Sequence, residues 1–152
     1  MTNNLMYGVQ AYAPGKAIEL AALAARVLGA NGTPVTGLGG HRRAVIVLNI
    51  TASAHEAGDT LDVFVDVSPD GGTTWLNAVH FTQQAGNGAA VKQFAVLDAA
   101  APGTAVVAVT SDAAAGVVRP ALFGDQMRAR WAIVDSGDGD SSHTFSVEAF
   151  AQ

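Results

Sequence analysis

Residues 61–67 read Leu-Asp-Val-Phe-Val-Asp-Val, and residues 68–72 continue as Ser-Pro-Asp-Gly-Gly. The aliphatic side chains of the first stretch stand at every second position, which is the period of a β-strand and places all four on one face. Pro, Asp and Gly in close succession then favour a tight turn. Residues 73–82 are therefore predicted to return as the second strand of a hairpin. This strand offers three large apolar side chains to the core, namely Trp75, Val79 and Phe81.

Five further stretches have the β-branched and aromatic residues of strands, and each is bounded by Gly, Pro or Asp. They are residues 44–51, 91–97, 105–110, 127–134 and 144–150. The first is a nearly unbroken apolar run, which predicts a strand buried on both faces. The last alternates apolar and polar residues, which predicts a half-buried closing strand. The spacing of these stretches is typical of a sandwich or a barrel.

The pattern predicts an all-β fold, specifically an antiparallel β-sandwich of jelly-roll type in a single domain. A chain of 152 residues has the size of one ordinary domain. We expect residues 16–152 to form the sandwich and residues 1–15 to form an extended N-terminal arm. Residues 16–30 leave two alternatives open, because an Ala-rich stretch that ends in Gly is compatible with a helix and also with an extended segment.

The composition argues against several classes of function. The formal net charge is −5 and the few basic residues are scattered, so nucleic-acid binding, which needs clustered Lys and Arg, is not expected. The chain has no Cys, which excludes disulfides and thiolate metal sites. No apolar run approaches the roughly 18 residues of a membrane span, and the first ten residues do not resemble a signal peptide. We therefore expect a soluble protein without membrane contacts that is not secreted by the usual route.

The turn after the first strand fits the Asp-box pattern of Ser, any residue, Asp, any residue, Gly, any residue, Thr, Trp. The matching residues are Ser68, Asp70, Gly72, Thr74 and Trp75. In sialidases and other β-propellers this resemblance implies a hairpin with the Trp packed beneath it. Propellers repeat the motif at periods of about 40–50 residues, whereas this chain has one copy. The pattern therefore favours a structural hairpin, with Asp70 capping the turn and Trp75 in the core.

Acidic side chains crowd at Asp135, Asp138 and Asp140, which invites a calcium hypothesis because hard cations prefer carboxylate oxygens. An EF-hand that started at Asp138 would need Gly where His143 stands and Glu where Ala149 stands. A solvated turn is the stronger interpretation, and no metal site is predicted. Three other acids, Asp59, Asp62 and Asp66, are predicted to lie on the solvent face of a strand.

Nothing in the sequence assembles a nucleophile with its base. The four histidines, His41, His55, His80 and His143, fall in separate segments, and no known catalytic or nucleotide-binding motif is present. We therefore expect no enzymatic activity, no catalytic residue and no cofactor.

Arg128 and Arg130 are two residues apart on a predicted strand and so share one face. Two interpretations stay open. The arginines pair with aspartates of their own chain, or they contact a carboxylate-lined neighbouring subunit, for which the planar guanidinium is well suited.

The order of these features resembles that of small virion proteins encoded by tailed bacteriophages. The resemblance is carried by the strand and turn of residues 61–75, the His-Phe-Thr-Gln run of residues 80–83, the Met-Arg-Ala-Arg-Trp strand of residues 127–131 and the Thr-Phe-Ser-Val strand of residues 144–147. It covers residues 44–150 and implies a β-sandwich attached to the capsid or head–tail region, with residues 19–38 extended and no catalytic residue. The Ala-rich stretch of residues 98–119 departs from the family pattern by its length.

The expected function is that of a virion structural protein, either a capsid decoration or cement protein or a head–tail accessory protein. Its expected partners are phage capsid or head–tail proteins and further copies of itself, and its expected location is the virion. The alternative is a carbohydrate-binding or receptor-binding β-sandwich module, because such folds also carry sugar sites on exposed aromatic side chains.

Overall fold

A computed structural model describes residues 15–103 and 105–152. These residues form ten β-strands and contain no helix, so no helix among them could cross a membrane. The strands are β1 (Lys16–Arg26), β2 (Ala30–Asn31), β3 (Arg43–Ala54), β4 (Thr60–Ser68), β5 (Leu76–His80), β6 (Gln84–Ala85), β7 (Val91–Asp98), β8 (Val117–Val118), β9 (Gln126–Val134) and β10 (Ser142–Ala151).

The strands form two antiparallel sheets. The first sheet has the order β1-β10-β3-β7, and the second has the order β2-β9-β4-β5-β8, with β6 paired to β4. Three strands of the second sheet, β2, β6 and β8, have only two residues each. The predicted all-β, single-domain sandwich is confirmed.

The core lies between the two sheets. The four aliphatic residues of β4 that alternate in the sequence are at most 1% exposed, as the period of two predicts. β3 contributes Ala44, Ile46, Leu48 and Ile50 from the facing sheet. Its intervening residues Val45 and Val47 are only half-buried, so the predicted burial of this strand on both faces is wrong. No further layer of the described chain covers the outer face of the first sheet.

Residues 16–26 are a strand, which settles the first part of the ambiguous Ala-rich stretch. β1 pairs with the closing strand β10 from Lys16 opposite Ala151 to Arg26 opposite His143, with two register shifts on the way. Tertiary pairing overrides the high helix propensity of alanine here. The predicted N-terminal arm lies outside the described residues, apart from Gly15.

Residues 105–110 were predicted as a strand and do not form one. Instead, Val117–Val118 provides the short strand β8 at the edge of the second sheet, next to β5. The prediction is wrong because a strand needs a ladder partner as well as β-propensity, and this segment has none within the described part of the chain.

Candidate functional site

The turn between β4 and β5 is held by its own side chains. The Asp70 carboxylate Oδ1 accepts hydrogen bonds from the Thr74 amide at 2.7 Å and from the Ser68 hydroxyl at 2.9 Å. The Ser68 Oγ in turn accepts the Gly72 amide at 2.8 Å. Gly71 and Gly72 have φ of 72° and 91°, a left-handed conformation that glycine adopts without strain. The bond from the Thr74 amide, followed by the other hydrogen bonds, lowers the pKa of Asp70.

Trp75 leaves this turn on the outer side of the second sheet and is half-buried. The guanidinium carbon of Arg128 lies 4.2 Å from the centroid of its ring, a cation–π contact. The predicted placement of Trp75 in the core is therefore wrong. The physical reason is a register shift between Val65 and Asp66 opposite β5. The shift changes which residues of the returning chain face the core.

Asp66 is the centre of a charged network on the outer side of the second sheet. Its side chain is 4% exposed and accepts bonds from Arg130 Nε at 3.0 Å and from Arg128 Nη2 at 3.3 Å. Asn77 Nδ2 is 3.3 Å from its other oxygen. Arg130 also reaches Asp112, with 2.6 Å between Nη2 and Oδ1. The predicted solvent-facing position of Asp66 is wrong, because two arginines and an asparagine cover it.

Both arginines are thus engaged within their own chain. Burial by itself would lower the pKa of Arg130, but the hydrogen bonds and charges of Asp66 and Asp112 raise it. The guanidinium carbon of Arg130 also lies 4.1 Å from the ring centroid of Phe64. The side chains of Arg128 and Arg130 are 18% and 25% exposed, so only their outer edges face solvent.

His80 and Asp62 form a pair beside this network that the sequence did not suggest. His80 lies opposite Phe64 in the sheet, and its Nε2 is 2.8 Å from Asp62 Oδ1. Its Nδ1 is 2.7 Å from the Ala113 carbonyl oxygen. A His–Asp pair can serve nucleophilic catalysis when the second ring nitrogen faces a nucleophile. Here both nitrogens face acceptors, so the pair holds the loop around Ala113 against the sheet.

Carboxylates converge at the opposite end of β4. Glu56, Asp138 and Asp140 each place one oxygen within 4.8 Å of the other two, a set of atoms that could hold a hard divalent cation. Burial first, and then the neighbouring Asp138, raise the pKa of Asp140. His55, whose φ is 86°, places Nδ1 2.8 Å from Asp140. Local spacing could not reveal the contribution of Glu56, because it comes from a different loop.

Asp135 has a separate role in the same loop. Its carboxylate accepts the amides of Gly137 at 2.9 Å, Gly139 at 3.0 Å and Ser141 at 3.1 Å. These bonds, that from Ser141 foremost, lower the pKa of Asp135. The loop is therefore an exposed turn wrapped around one carboxylate.

Two ionisable side chains are fully buried near this end of the sandwich. Asp59 is 0% exposed and accepts the Ser136 amide at 2.8 Å, so its predicted solvent-facing position is wrong. His143 is also 0% exposed, and its Nδ1 is 3.0 Å from Ser53 Oγ. Burial lowers the pKa of His143, although the charge of Asp59 acts in the opposite direction.

Apolar side chains are exposed on the outer side of the first sheet. Phe150 lies opposite Val45, which lies opposite Val96, and Val47 lies opposite Phe94. Phe94 is 74% exposed and Phe150 is 44% exposed. We call these five residues the outer apolar face.

A groove of about 360 Å³ lies between β1 and β2, at the edge where the two sheets meet. Trp131 lines it together with Glu19, Asn31 and Thr33. Arg26 stacks on Trp131 at 4.6 Å and donates to the Phe145 and Ala22 carbonyls, both at 2.7 Å. Burial lowers the pKa of Arg26.

The residues singled out from the sequence come together only in part. The turn of Ser68, Asp70, Gly72 and Thr74 leads to Trp75, which stacks with Arg128, and Asp66 joins Arg128 to Arg130. Comparison with protein-family models, curated proteins and solved structures found no match.

Proposed function

We propose that this protein is a structural component of a tailed-phage virion, acting as a capsid decoration or cement protein or as a head–tail accessory protein. It would work by fitting against capsid or head–tail subunits and against other copies of itself. The outer apolar face carries this proposal, and the order of sequence motifs that resembles small phage virion proteins agrees with it.

The outer apolar face is well suited to a protein contact. A phenylalanine side chain has roughly 150–250 Å² of surface, so covering the exposed 74% of Phe94 removes on the order of 150 Å² from water. Burial of such a side chain is worth roughly 1.5–3 kcal/mol before the costs of association. An exposed aromatic side chain within a flat apolar sheet face is typical of an interface.

The state of the polar groups favours binding over catalysis. His80 has an acceptor at each ring nitrogen, and Arg128 and Arg130 are held by Asp66. These groups stabilise the second sheet and its loops. The outer apolar face on the first sheet is left for a contact, and it is bordered by charged residues such as Glu148, which lies opposite Val47.

The proposal is tested on virions of the phage that encodes the chain. We expect mass spectrometry of purified virions to detect the protein at a copy number comparable to that of other structural proteins. Particles that lack it should take up the purified protein, and Phe94→Asn should reduce this uptake by at least tenfold. Leu28→Asn is the matched control, because Leu28 is 76% exposed on a different edge. Absence from virions, or equal uptake of both variants, would contradict the proposal.

A carbohydrate-binding module is the second candidate, and the groove beside Trp131 favours it. An indole with adjacent Glu, Asn and Thr side chains is a suitable lining for a sugar, since rings stack on aromatic faces and hydroxyls bond to polar groups. Asn31 is exposed in this groove. Glycan-array binding that Asn31→Ala abolishes without a change in melting temperature would support this candidate, and an array without any bound glycan would count against it.

A further inference from the structure

The dipeptide Asn-Gly occurs twice in the chain, as Asn31-Gly32 and as Asn87-Gly88. We propose that Asn87 deamidates spontaneously in the folded protein, whereas Asn31 is protected by its sheet. The turn that holds Asn87 is thereby a site of covalent modification. The inference goes beyond the virion role and is independent of it, because it concerns the chemistry of the folded chain alone.

The reaction joins the asparagine side chain to the backbone of the next residue. Glycine at that next position hinders it least, because glycine has no Cβ beside the attacking nitrogen. The Gly88 amide nitrogen attacks the side-chain carbonyl carbon Cγ of Asn87 and gives up its proton. A bond from this nitrogen to Cγ forms, the bond from Cγ to Nδ2 breaks, and ammonia leaves. Water then opens the succinimide ring at either of its carbonyl groups, which yields aspartate or isoaspartate.

Asn87 is exposed and lies in the turn between β6 and β7. The Gly88 amide has to be released before it can attack, and in the folded chain it donates to the Ala85 carbonyl at 3.0 Å. This bond lies within the turn and is not part of a strand ladder. Local opening of an exposed turn costs little free energy, so the Gly88 amide becomes available while both sheets stay intact.

Asn31 is an internal comparison, because it is also exposed but lies in the strand β2. It pairs with Arg130 of β9, and the following Gly32 amide donates to the Ala129 carbonyl at 2.8 Å. Backbone also encloses Gly32, since a Cβ there would lie 2.9 Å from the Leu20 carbonyl oxygen and 3.0 Å from that of Ala129. Turning this backbone toward the Asn31 side chain therefore requires β2 to separate from β9. Such an opening costs more free energy than the opening of a turn.

The product would carry a new negative charge close to the acidic loops at the end of the sandwich. The turn is tied to the loop before β4, because the Gly86 amide donates to the Asp59 carbonyl at 2.7 Å. Gly86 also lies against the Glu56 carbonyl, which leaves no room for a Cβ. The Glu56 side chain converges with those of Asp138 and Asp140. Isoaspartate would also lengthen the backbone of the turn by one methylene group, so we expect the modification to loosen this contact.

Ageing of the purified full chain in mildly alkaline buffer tests the proposal. Peptide mapping by mass spectrometry follows deamidation at each asparagine, and we expect Asn87 to react at least about tenfold faster than Asn31. In concentrated urea the two rates should converge, because the dipeptide is the same and the fold no longer distinguishes the sites. Equal rates in the folded chain, faster reaction at Asn31, or a difference that persists in urea would overturn the proposal.

Matched substitutions assign the product to its site. Asn87→Gln should remove most of the isoaspartate that enzymatic methylation detects in the aged folded chain, because glutamine would have to close a larger ring. Asn31→Gln is the control and should leave this amount nearly unchanged. Both side chains are exposed, and the melting temperature checks that each variant folds. Isoaspartate that persists in Asn87→Gln, or that Asn31→Gln removes, would contradict the proposal. Uptake into virions is measured separately, so either proposal can fail alone.

Discussion

At the scale of single residues, the arrangement around Asp66 is the main feature that stabilises the outer side of the second sheet. A carboxylate that is 4% exposed carries a desolvation cost, which the two arginines and Asn77 offset. Removing the charge of Asp66 would leave both guanidinium groups without their common partner. The same loss at an exposed acid has little effect, because water solvates the remaining partner.

We expect Asp66→Asn to lower the free energy of unfolding by about 3–5 kcal/mol, the usual cost of breaking a buried ion pair. Asp112→Asn is the control. Asp112 also binds Arg130 but is 46% exposed, so its loss should cost at most about 1 kcal/mol. Urea denaturation at pH 7 measures both values. Equal effects of the two substitutions would show that the network is not centred on Asp66.

The burial of His143 predicts how the stability of the protein changes with pH. Burial holds the pKa of His143 below its ordinary value of 6.5, so the folded protein keeps the ring neutral while the unfolded chain takes up a proton. The stability that the neutral ring contributes is therefore fully present above about pH 6.5. It is lost as the pH falls through the folded pKa, at up to about 1.4 kcal/mol per pH unit. We expect His143→Gln to reduce this slope between pH 6.5 and pH 5 in denaturation curves. An unchanged slope would exclude His143 as its source.

At the scale of elements, the hairpin of β4 and β5 depends on its turn. Asp70 and Ser68 satisfy the turn amides locally, and Gly71 and Gly72 supply the left-handed backbone. The turn thereby sets where β5 begins. The register shift opposite Asp66 then brings Trp75 to the outer side, where Arg128 covers it.

We expect Asp70→Ala to lower the melting temperature at pH 7, because the Thr74 amide and the Ser68 hydroxyl lose their acceptor. The pKa of Asp70 is lowered from 3.8, so the stability that its carboxylate contributes is present above about pH 4 and is lost as the pH falls through the folded pKa. The difference from the unsubstituted chain should shrink at pH 2–3, as thermal melts followed by circular dichroism would show. Thr73→Ala in the same turn is the control, and a pH-independent difference would contradict the role of the charge.

At the scale of the whole molecule, two sheets enclose one core and leave two apolar surfaces uncovered by the described chain. The outer apolar face lies on the first sheet, and the exposed residues 105–110 lie beside the β8 edge of the second.

The sequence by itself determined which strands alternate apolar and polar residues. It also determined the turn that joins β4 to β5. Leu61 to Val67 and Phe145 to Ala149 alternate because successive side chains of a strand point to opposite faces, and the structure buries the apolar residues of both stretches. The Ser-Pro-Asp-Gly-Gly turn is equally local. These properties depend on neighbours in the chain, so the pattern is sufficient to predict them.

The tertiary structure alone decided which segments found partners and which polar groups were buried. Residues 16–26 became a strand because β10 lies beside them, whereas residues 105–110 did not because no described strand does. Asp59, Asp66 and His143 are buried by residues distant in the sequence. Contacts of this kind depend on how the two sheets come together, and no local pattern contains that information.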